Sequence, residues 1–213
     1  MQKLGEGYFY DVFDLENGRV LKKQRPFSAI GESLKGKTSL NFVSKWIRTW
    51  QYIKRVEQAT ERIKEKTAEI PQRLIGNPSF LSSYDYEQDE VILLMDYFEN
   101  HSIEENKKIL DKYVDLVLEL LRHGVHDCVY KFKNSYGVNQ KEEVVFIDFN
   151  EVTFSKKETL RLVKNRHWRS EAQFRKLEEG ELKDYLTMKL EQALTLGVVE
   201  KLWGSHLKHE DAL

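Results

Sequence analysis

Two stretches of this chain carry residue types at spacings that can hold a phosphate. The first is Leu4-Gly5-Glu6-Gly7-Tyr8-Phe9-Tyr10-Asp11-Val12. Glycines two apart at a strand-to-strand turn let main-chain amides approach a polyphosphate without a Cβ in the way, and a valine just beyond can cover an adenine. The second is Gly31-Glu32-Ser33-Leu34-Lys35-Gly36-Lys37-Thr38, which satisfies the P-loop pattern letter for letter. A P-loop needs a buried strand running into its first glycine and a helix opening at its Lys-Thr pair, with Val91 to Asp96 as the apolar strand that ends in a metal-binding Asp. The helix follows, but Gln24 to Ile30 holds polar residues and Pro26 where the strand should be.

The elements that must position these residues follow from periodicity. Tyr8 to Leu15 and Arg19 to Gln24 read as strands joined at Glu16-Asn17-Gly18, an antiparallel hairpin with Asn-Gly at its turn. Residues 25–38, with Pro26, Gly31 and Gly36, read as loop. From Leu40 to Glu69, apolar residues at three and four spacing (Phe42, Trp46, Ile47, Trp50, Ile53, Val56, Ile63) predict a long helix closed by Pro71. Phe80 to Tyr86 and Val91 to Met95 are strand candidates. Lys107 to His123 is an amphipathic helix with Ile109, Leu110, Tyr113, Val114, Val117, Leu120 and Leu121 on one side. Val144 to Ile147 is a buried strand, and the chain turns helical and highly charged from about Ser155. This order predicts an α+β fold.

Composition narrows the class. With 40% apolar and 12% aromatic residues, three Pro and eleven Gly, the 213 residues suit one globular domain, or one domain in two lobes. A formal charge of -1 supplies no global field toward nucleic acid or acidic lipid. The single cysteine, Cys128, excludes an internal disulfide and a Cys-based zinc site. No apolar run approaches the roughly 20 residues needed to cross a bilayer, and the start lacks a signal-type apolar stretch, so a cytoplasmic setting without membrane partners is expected. The run Arg161, Lys164, Arg166, Arg169, Arg175, Lys176, with Trp168 and Phe174, could grip nucleic acid; the preferred reading is a solvated helix face paired with Glu178, Glu179 and Glu181.

Taken in order, the Gly5-x-Gly7 loop, the hairpin, Val20-Leu21-Lys22, a helix with acidic residues, Leu94-Met95-Asp96-Tyr97 and Phe146-Ile147-Asp148-Phe149-Asn150 resemble the protein-kinase-like superfamily over residues 4–151. The likeness is greatest to compact bacterial kinase-like proteins of the PhoP-regulatory-network type and to minimal effector kinases. It implies a two-lobed fold: a small antiparallel sheet plus helix over 1–98 that binds ATP, and a reduced helical lobe over 99–213. By the same resemblance, Gly5, Gly7 and Val12 meet the nucleotide, and Lys22 pairs with its α- and β-phosphates. Glu61, ten residues before Pro71, holds that lysine, with Glu57 one turn away as the alternative. Met95 gates the adenine pocket, and the main chain of Asp96, Tyr97 and Phe98 meets the adenine edge. Asp148 binds Mg²⁺ where a carboxylate emerges at the end of a buried strand.

The loop His123 to Asn134 resembles the one that supplies a base, Asp127, and a second metal ligand, Asn134. In the family the Asn follows the Asp by five positions; here the interval is seven. Tyr10 stands where the third glycine of the loop would be, Asn150 replaces the glycine after Asp148-Phe149, and no Ala-Pro-Glu follows. The peptide platform of ordinary protein kinases is therefore not expected. The resemblance implies Mg-dependent phosphoryl transfer from ATP to a protein or small-molecule hydroxyl. The alternatives are a nucleotide-binding pseudokinase acting as a switch or scaffold and, less favoured, a P-loop NTPase using Gly31 to Thr38.

Overall fold

Alternating burial along residues 19–24 fixes one face of a sheet. In a computed structural model of the chain, residues 1–7, 9–33, 42–82, 84–130, 135–149, 152–170, 174, 177 and 180–206 are described. They divide into two compact units, 1–66 with 77–90, and 67–76 with 91–213.

In the first unit, β1 (Lys3–Glu6), β2 (Tyr10–Asp14), β3 (Arg19–Gln24), β4 (Ser79–Phe80) and β5 (Tyr86–Asp89) form an antiparallel sheet in the order β1-β2-β3-β5-β4. Val20 and Lys22 of β3 are buried, Leu21 between them is half-buried and Lys23 after them is exposed, as the two-residue period of a strand requires. The β2–β3 hairpin forms where the sequence predicts it, but its turn differs in detail. Glu16 and Gly18, rather than Asn17, take positive φ, while Asn17 Oδ1 accepts a hydrogen bond from the Arg19 N–H. Arg19 then ties the hairpin to the far strand through Asp89 at 3.2 Å and the Asn77 carbonyl at 3.1 Å.

Between β3 and β4 lie α1 (Phe27–Ser33) and α2 (Phe42–Lys66). Residues 27–33 are thus helical where the sequence reads as loop: Pro26 starts the helix, its carbonyl accepting from the Ile30 N–H. The long helix appears as its periodicity predicts, with a narrower buried stripe. Thr49, Ile53, Val56, Ala59, Thr60 and Ile63 are buried, whereas Trp46, Ile47 and Trp50 are exposed. Phe27 of α1 lies beside Trp46, and Lys54 Nζ sits 4.1 Å from the Trp50 ring centre, so these rings carry their own neighbours.

The second unit is built on α4 (Ile103–Arg122). Ser102 and Glu105 form a reciprocal capping box at its start. All seven apolar residues expected on its buried side are buried, with Leu116 added. Against it lie β6 (Ile92–Leu93), β8 (Tyr136–Val138) and β9 (Val144–Phe146), an antiparallel sheet in the order β6-β8-β9. β7 (His126–Asp127) pairs with β10 (Val152–Thr153). Tyr113 meets Tyr136 edge-on at 4.9 Å, and Phe146 and Phe149 extend that aromatic core. A side chain at Gly137 of β8 would collide with Val91, so glycine is needed there for strands to approach. Completing the unit are α3 (Leu94–Asn100), α5 (Lys156–Lys164), a 3₁₀ turn at His167–Ser170, α6 (Glu181–Ala193) and α7 (Leu196–Leu202). No described helix is long and apolar enough to cross a membrane. The α+β class read from the sequence is the class observed, with a small antiparallel sheet and helix first and a helical half after it.

Candidate functional site

The register of the first sheet brings three of the expected residues into one row. Gly5 lies opposite Val12, Val12 opposite Lys22, Lys22 opposite Tyr86, and Tyr86 opposite Phe80. Residues paired across antiparallel strands share a face, with strands about 4.8 Å apart. The Gly5 main chain and the Lys22 Cα are therefore about 10 Å apart, two strand spacings. Neither Gly5 nor Gly7 has a positive φ. A Cβ at Gly5 would meet nothing within 4 Å, and one at Gly7 only the Tyr10 carbonyl at 3.6 Å. The fold does not demand glycine at either position; at Gly5 it leaves the space beside the main chain open.

This glycine turn is braced by charge. The Gly7 N–H donates to the Tyr10 carbonyl at 2.7 Å, and Arg25 donates to the Gly7 carbonyl at 2.7 Å. Lys3 Nζ reaches Asp11 and Glu6, each at 2.9 Å. Those contacts raise the Lys3 ammonium above its usual range, Asp11 first and then Glu6, and hold the Glu6 carboxyl below its own. Tyr10, in place of a third glycine, is buried edge-on between Phe9 and Tyr86.

Lys22 is 7% exposed, and its Nζ lies 5.6 Å from the centre of the Tyr86 ring. Lysine is rarely buried this far unless its charge is compensated. Lys23 next to it is exposed. Of the two carboxylates weighed on α2, Glu61 is exposed and Glu57 half-buried. Both face Tyr84, whose phenol is pushed up by the Glu57 charge first, then by burial and Glu61.

In the second unit Asp148 lies two residues beyond the end of β9 and is half-buried, flanked by buried Ile147 and Phe149. The Ile147 N–H donates to the Ser135 carbonyl at 2.8 Å, which fixes where the strand releases this carboxylate. Asp127 ends β7 and is 5% exposed. Its Oδ1 accepts from the Val129 N–H and its Oδ2 from the Tyr136 hydroxyl, both at 2.8 Å. Burial first, and then the Asp127 charge, keep the Tyr136 phenol well above its ordinary range. His126 beside it is pushed down to about 3, by burial first and then by His167, and so is neutral at pH 7. Its Nε2 is 3.0 Å from the Tyr130 hydroxyl. Asn134 and Asn150 lie outside the described residues.

Met95, Asp96, Tyr97 and Phe98 are placed differently from the expectation. The apolar run 91–95 is strand only at Ile92–Leu93, and Leu94 begins α3. Leu94 and Phe98, one helical turn apart, are the buried pair that favours the helix. The carbonyls of Asp96 and Phe98 accept from the side chains of Asn100 and Asn106, and the Tyr97 carbonyl is 2.8 Å from His101 Nδ1. The carbonyls of Asp96, Tyr97 and Phe98 thus have side-chain partners within a helix instead of forming an extended edge, and Met95 lies in α3 rather than at a strand end.

The P-loop reading fails at its entrance. Gly31, Glu32 and Ser33 close the helix α1, and a helix rather than a buried strand runs into Gly31; residues 34–38 lie outside the described residues. The basic stretch also loses its aromatic platform, because Trp168 and Phe174 are buried against each other. Arg166 and Arg169 pair with Glu191, Arg161 with Glu158 and Glu181 with Lys107, while Arg175, Lys176, Glu178 and Glu179 lie outside the described residues.

A five-stranded antiparallel sheet with a long helix between its third and fourth strands precedes a helical unit in which a hairpin ends at Asp148. This order of elements is the one that the resemblance to kinase-like proteins leads one to expect. No family model and no curated protein matches the sequence. Among solved structures, the complex of Rv3197 with erythromycin from Mycobacterium tuberculosis is similar at 13% identity, over 90% of this chain and 54% of that one, with a TM-score of 0.45. WbdD is similar at 12% identity over 95% and 49%, TM-score 0.47, and WbdD with the kinase inhibitor LY294002 at 13% over 92% and 45%, TM-score 0.45. The chain spans about half the length of the structures it matches.

Proposed function

We propose that the chain is a kinase-like protein that binds Mg·ATP and transfers the γ-phosphoryl group to a hydroxyl of a protein or small molecule. The observation that carries this reading is the cross-strand row of Gly5, Val12 and Lys22, in which an open glycine main chain, an apolar side chain and a buried cation share one face of a sheet. The first unit supplies main-chain amides and the Lys22 ammonium for the phosphates. Glu57, less exposed than Glu61, is the better-placed α2 carboxylate for orienting that ammonium. The second unit supplies Asp148, a hard oxygen donor of the kind Mg²⁺ prefers. The ion, when bound, neutralises charge on the β- and γ-phosphates.

In transfer, the acceptor oxygen forms a bond to the γ-phosphorus as the bond to the β-phosphate bridging oxygen breaks, ADP leaves, and the hydroxyl proton passes to a carboxylate. Asp127 is the candidate for that proton. Its Oδ1 accepts from the Val129 N–H and its Oδ2 from the Tyr136 hydroxyl, and these two bonds hold the carboxylate in place. The same two bonds favour a second reading, in which Asp127 serves the 127–129 turn and the protein binds nucleotide without transferring phosphate.

Calorimetric titration with ATP, with and without Mg²⁺, tests the binding reading, and incubation with γ-labelled ATP separates the two outcomes. Label in protein, in an added acceptor or in inorganic phosphate, lost in Asp127→Asn, supports transfer. Mg-dependent binding with no label released supports the switch. Absence of ATP binding rejects both.

A further inference from the structure

At the end of α4 is a cluster that the nucleotide reading does not use. Glu119 and His123, four residues apart, project from the last turn of the helix on the same side. His206 is delivered to them by the turn after α7. The Gly204 N–H donates to the Leu121 carbonyl and the His206 N–H to the Arg122 carbonyl, each at 2.9 Å, so the returning chain satisfies carbonyls that α4 leaves open. One ligand atom from each of Glu119, His123 and His206 lies within 4.8 Å of the others.

The distances suit a small cation. Glu119 Oε1 is 3.5 Å from His123 Nε2 and 3.3 Å from His206 Nδ1. Ligands held about 2.0–2.2 Å from a tetrahedral ion are themselves about 3.3–3.5 Å apart. Two edges of the tetrahedron are already at that length, and only the separation between the imidazoles must close. Arg122 occupies Glu119 Oε2 at 2.6 Å and leaves Oε1 turned to the histidines.

His123 supplies an independent sign. Its side chain is 5% exposed, and neither ring nitrogen makes a hydrogen bond of normal geometry; the Glu119 carboxylate and the Glu69 main chain are the groups near it. A buried imidazole beside a carboxylate without a good hydrogen bond is costly as it stands and is relieved by a shared divalent ion.

We infer that Glu119, His123 and His206 form a binding site for a borderline divalent transition metal of the Zn²⁺ class, with a fourth position open to water, that fastens the segment after α7 to the end of α4. Two imidazoles with one carboxylate select this class over Mg²⁺, which prefers oxygen donors. The site uses residues of the second unit alone and is independent of nucleotide binding.

The test uses the full chain without an affinity tag, stripped with a chelator. Zn²⁺ titrated against a chromophoric competitor should bind at one equivalent, and Co²⁺ should give the intense visible absorption of a tetrahedral site. His206→Ala, at a side chain 49% exposed and so safe for folding, should weaken Zn²⁺ binding roughly tenfold or more and remove the Co²⁺ band. Glu119→Gln should do the same, while His101→Ala should leave both unchanged. Zn²⁺ should also raise the melting temperature of the wild type and not that of His206→Ala. Equal Zn²⁺ affinity in wild type and His206→Ala, or no saturable binding below about 100 µM Zn²⁺, would overturn the assignment.

Discussion

Replacing Lys22 by Met removes the charge while keeping most of the unbranched stem that lies buried beside Tyr86. Packing is thus largely conserved, and the change reads the ammonium itself. A charge-assisted contact to a phosphate oxygen is worth about 1.5–3 kcal/mol. At about 1.4 kcal/mol for each factor of ten, the dissociation constant for Mg·ATP should rise by about ten- to a hundredfold. Lys23 on the opposite face of the same strand is the control, because it is exposed and has the same charge and the same neighbours along the chain. Lys23→Met should shift affinity by less than about twofold, the scale of screened surface charge. The assay is isothermal calorimetry at fixed salt, with a thermal melt of each variant to confirm folding. Equal losses in the two variants, or wild-type affinity in Lys22→Met, would refute the assignment of Lys22 to the phosphates.

Asp148→Ala should leave metal-free ATP binding in place but abolish the gain from Mg²⁺, read as coincident titrations with and without the ion. Gly5→Ala should fold normally, since its Cβ meets nothing within 4 Å, while losing ATP affinity; Gly137→Ala should lower the melting temperature because its Cβ collides with Val91, at a cost of about 1–3 kcal/mol. His126, with its pKa lowered to about 3 in the fold against about 6.5 for a free imidazole, binds fewer protons folded than unfolded in between. Its contribution is therefore complete above about pH 6.5 and is lost as pH falls toward 3, by up to several kcal/mol. Chemical denaturation from pH 7 to 4 should show that fall, and His126→Gln should flatten it.

Much of this architecture is legible from spacing. The β2–β3 hairpin, α2, α4 and the apolar strand that releases Asp148 each follow from local periodicity, and strand alternation alone separates Lys22 from Lys23. What the sequence conceals are choices settled by tertiary packing. Val91-Ile92-Leu93-Leu94-Met95 suits a strand by composition, yet the buried pair Leu94 and Phe98 makes a helix from its second half. Pro26 and Gly31 suggest a loop, while Pro26 in fact begins a helix. Trp46, Ile47 and Trp50 share the period of the α2 core but lie on its exposed flank, because the buried stripe there includes Thr49 and Thr60 instead. Glu119 and His123 have helical spacing, but His206 joins them only through the turn after α7, and no local pattern announces a ligand so distant in the chain. Counting ten residues back from Pro71 reaches Glu61 but does not report that Glu57 is the less exposed of the two.

The proposed function is that Mg·ATP binds with its phosphates on the Gly5–Gly7 main chain and Lys22 and its ion on Asp148. The most direct test is a crystal structure of the full chain with Mg²⁺ and a non-hydrolysable ATP analogue. The account predicts a triphosphate along Gly5 to Gly7, Lys22 Nζ within about 3 Å of phosphate oxygens, and Mg²⁺ about 2.1 Å from an Asp148 carboxylate oxygen. A nucleotide bound at residues 31–38, or one bound with Lys22 and Asp148 both out of reach, would contradict it.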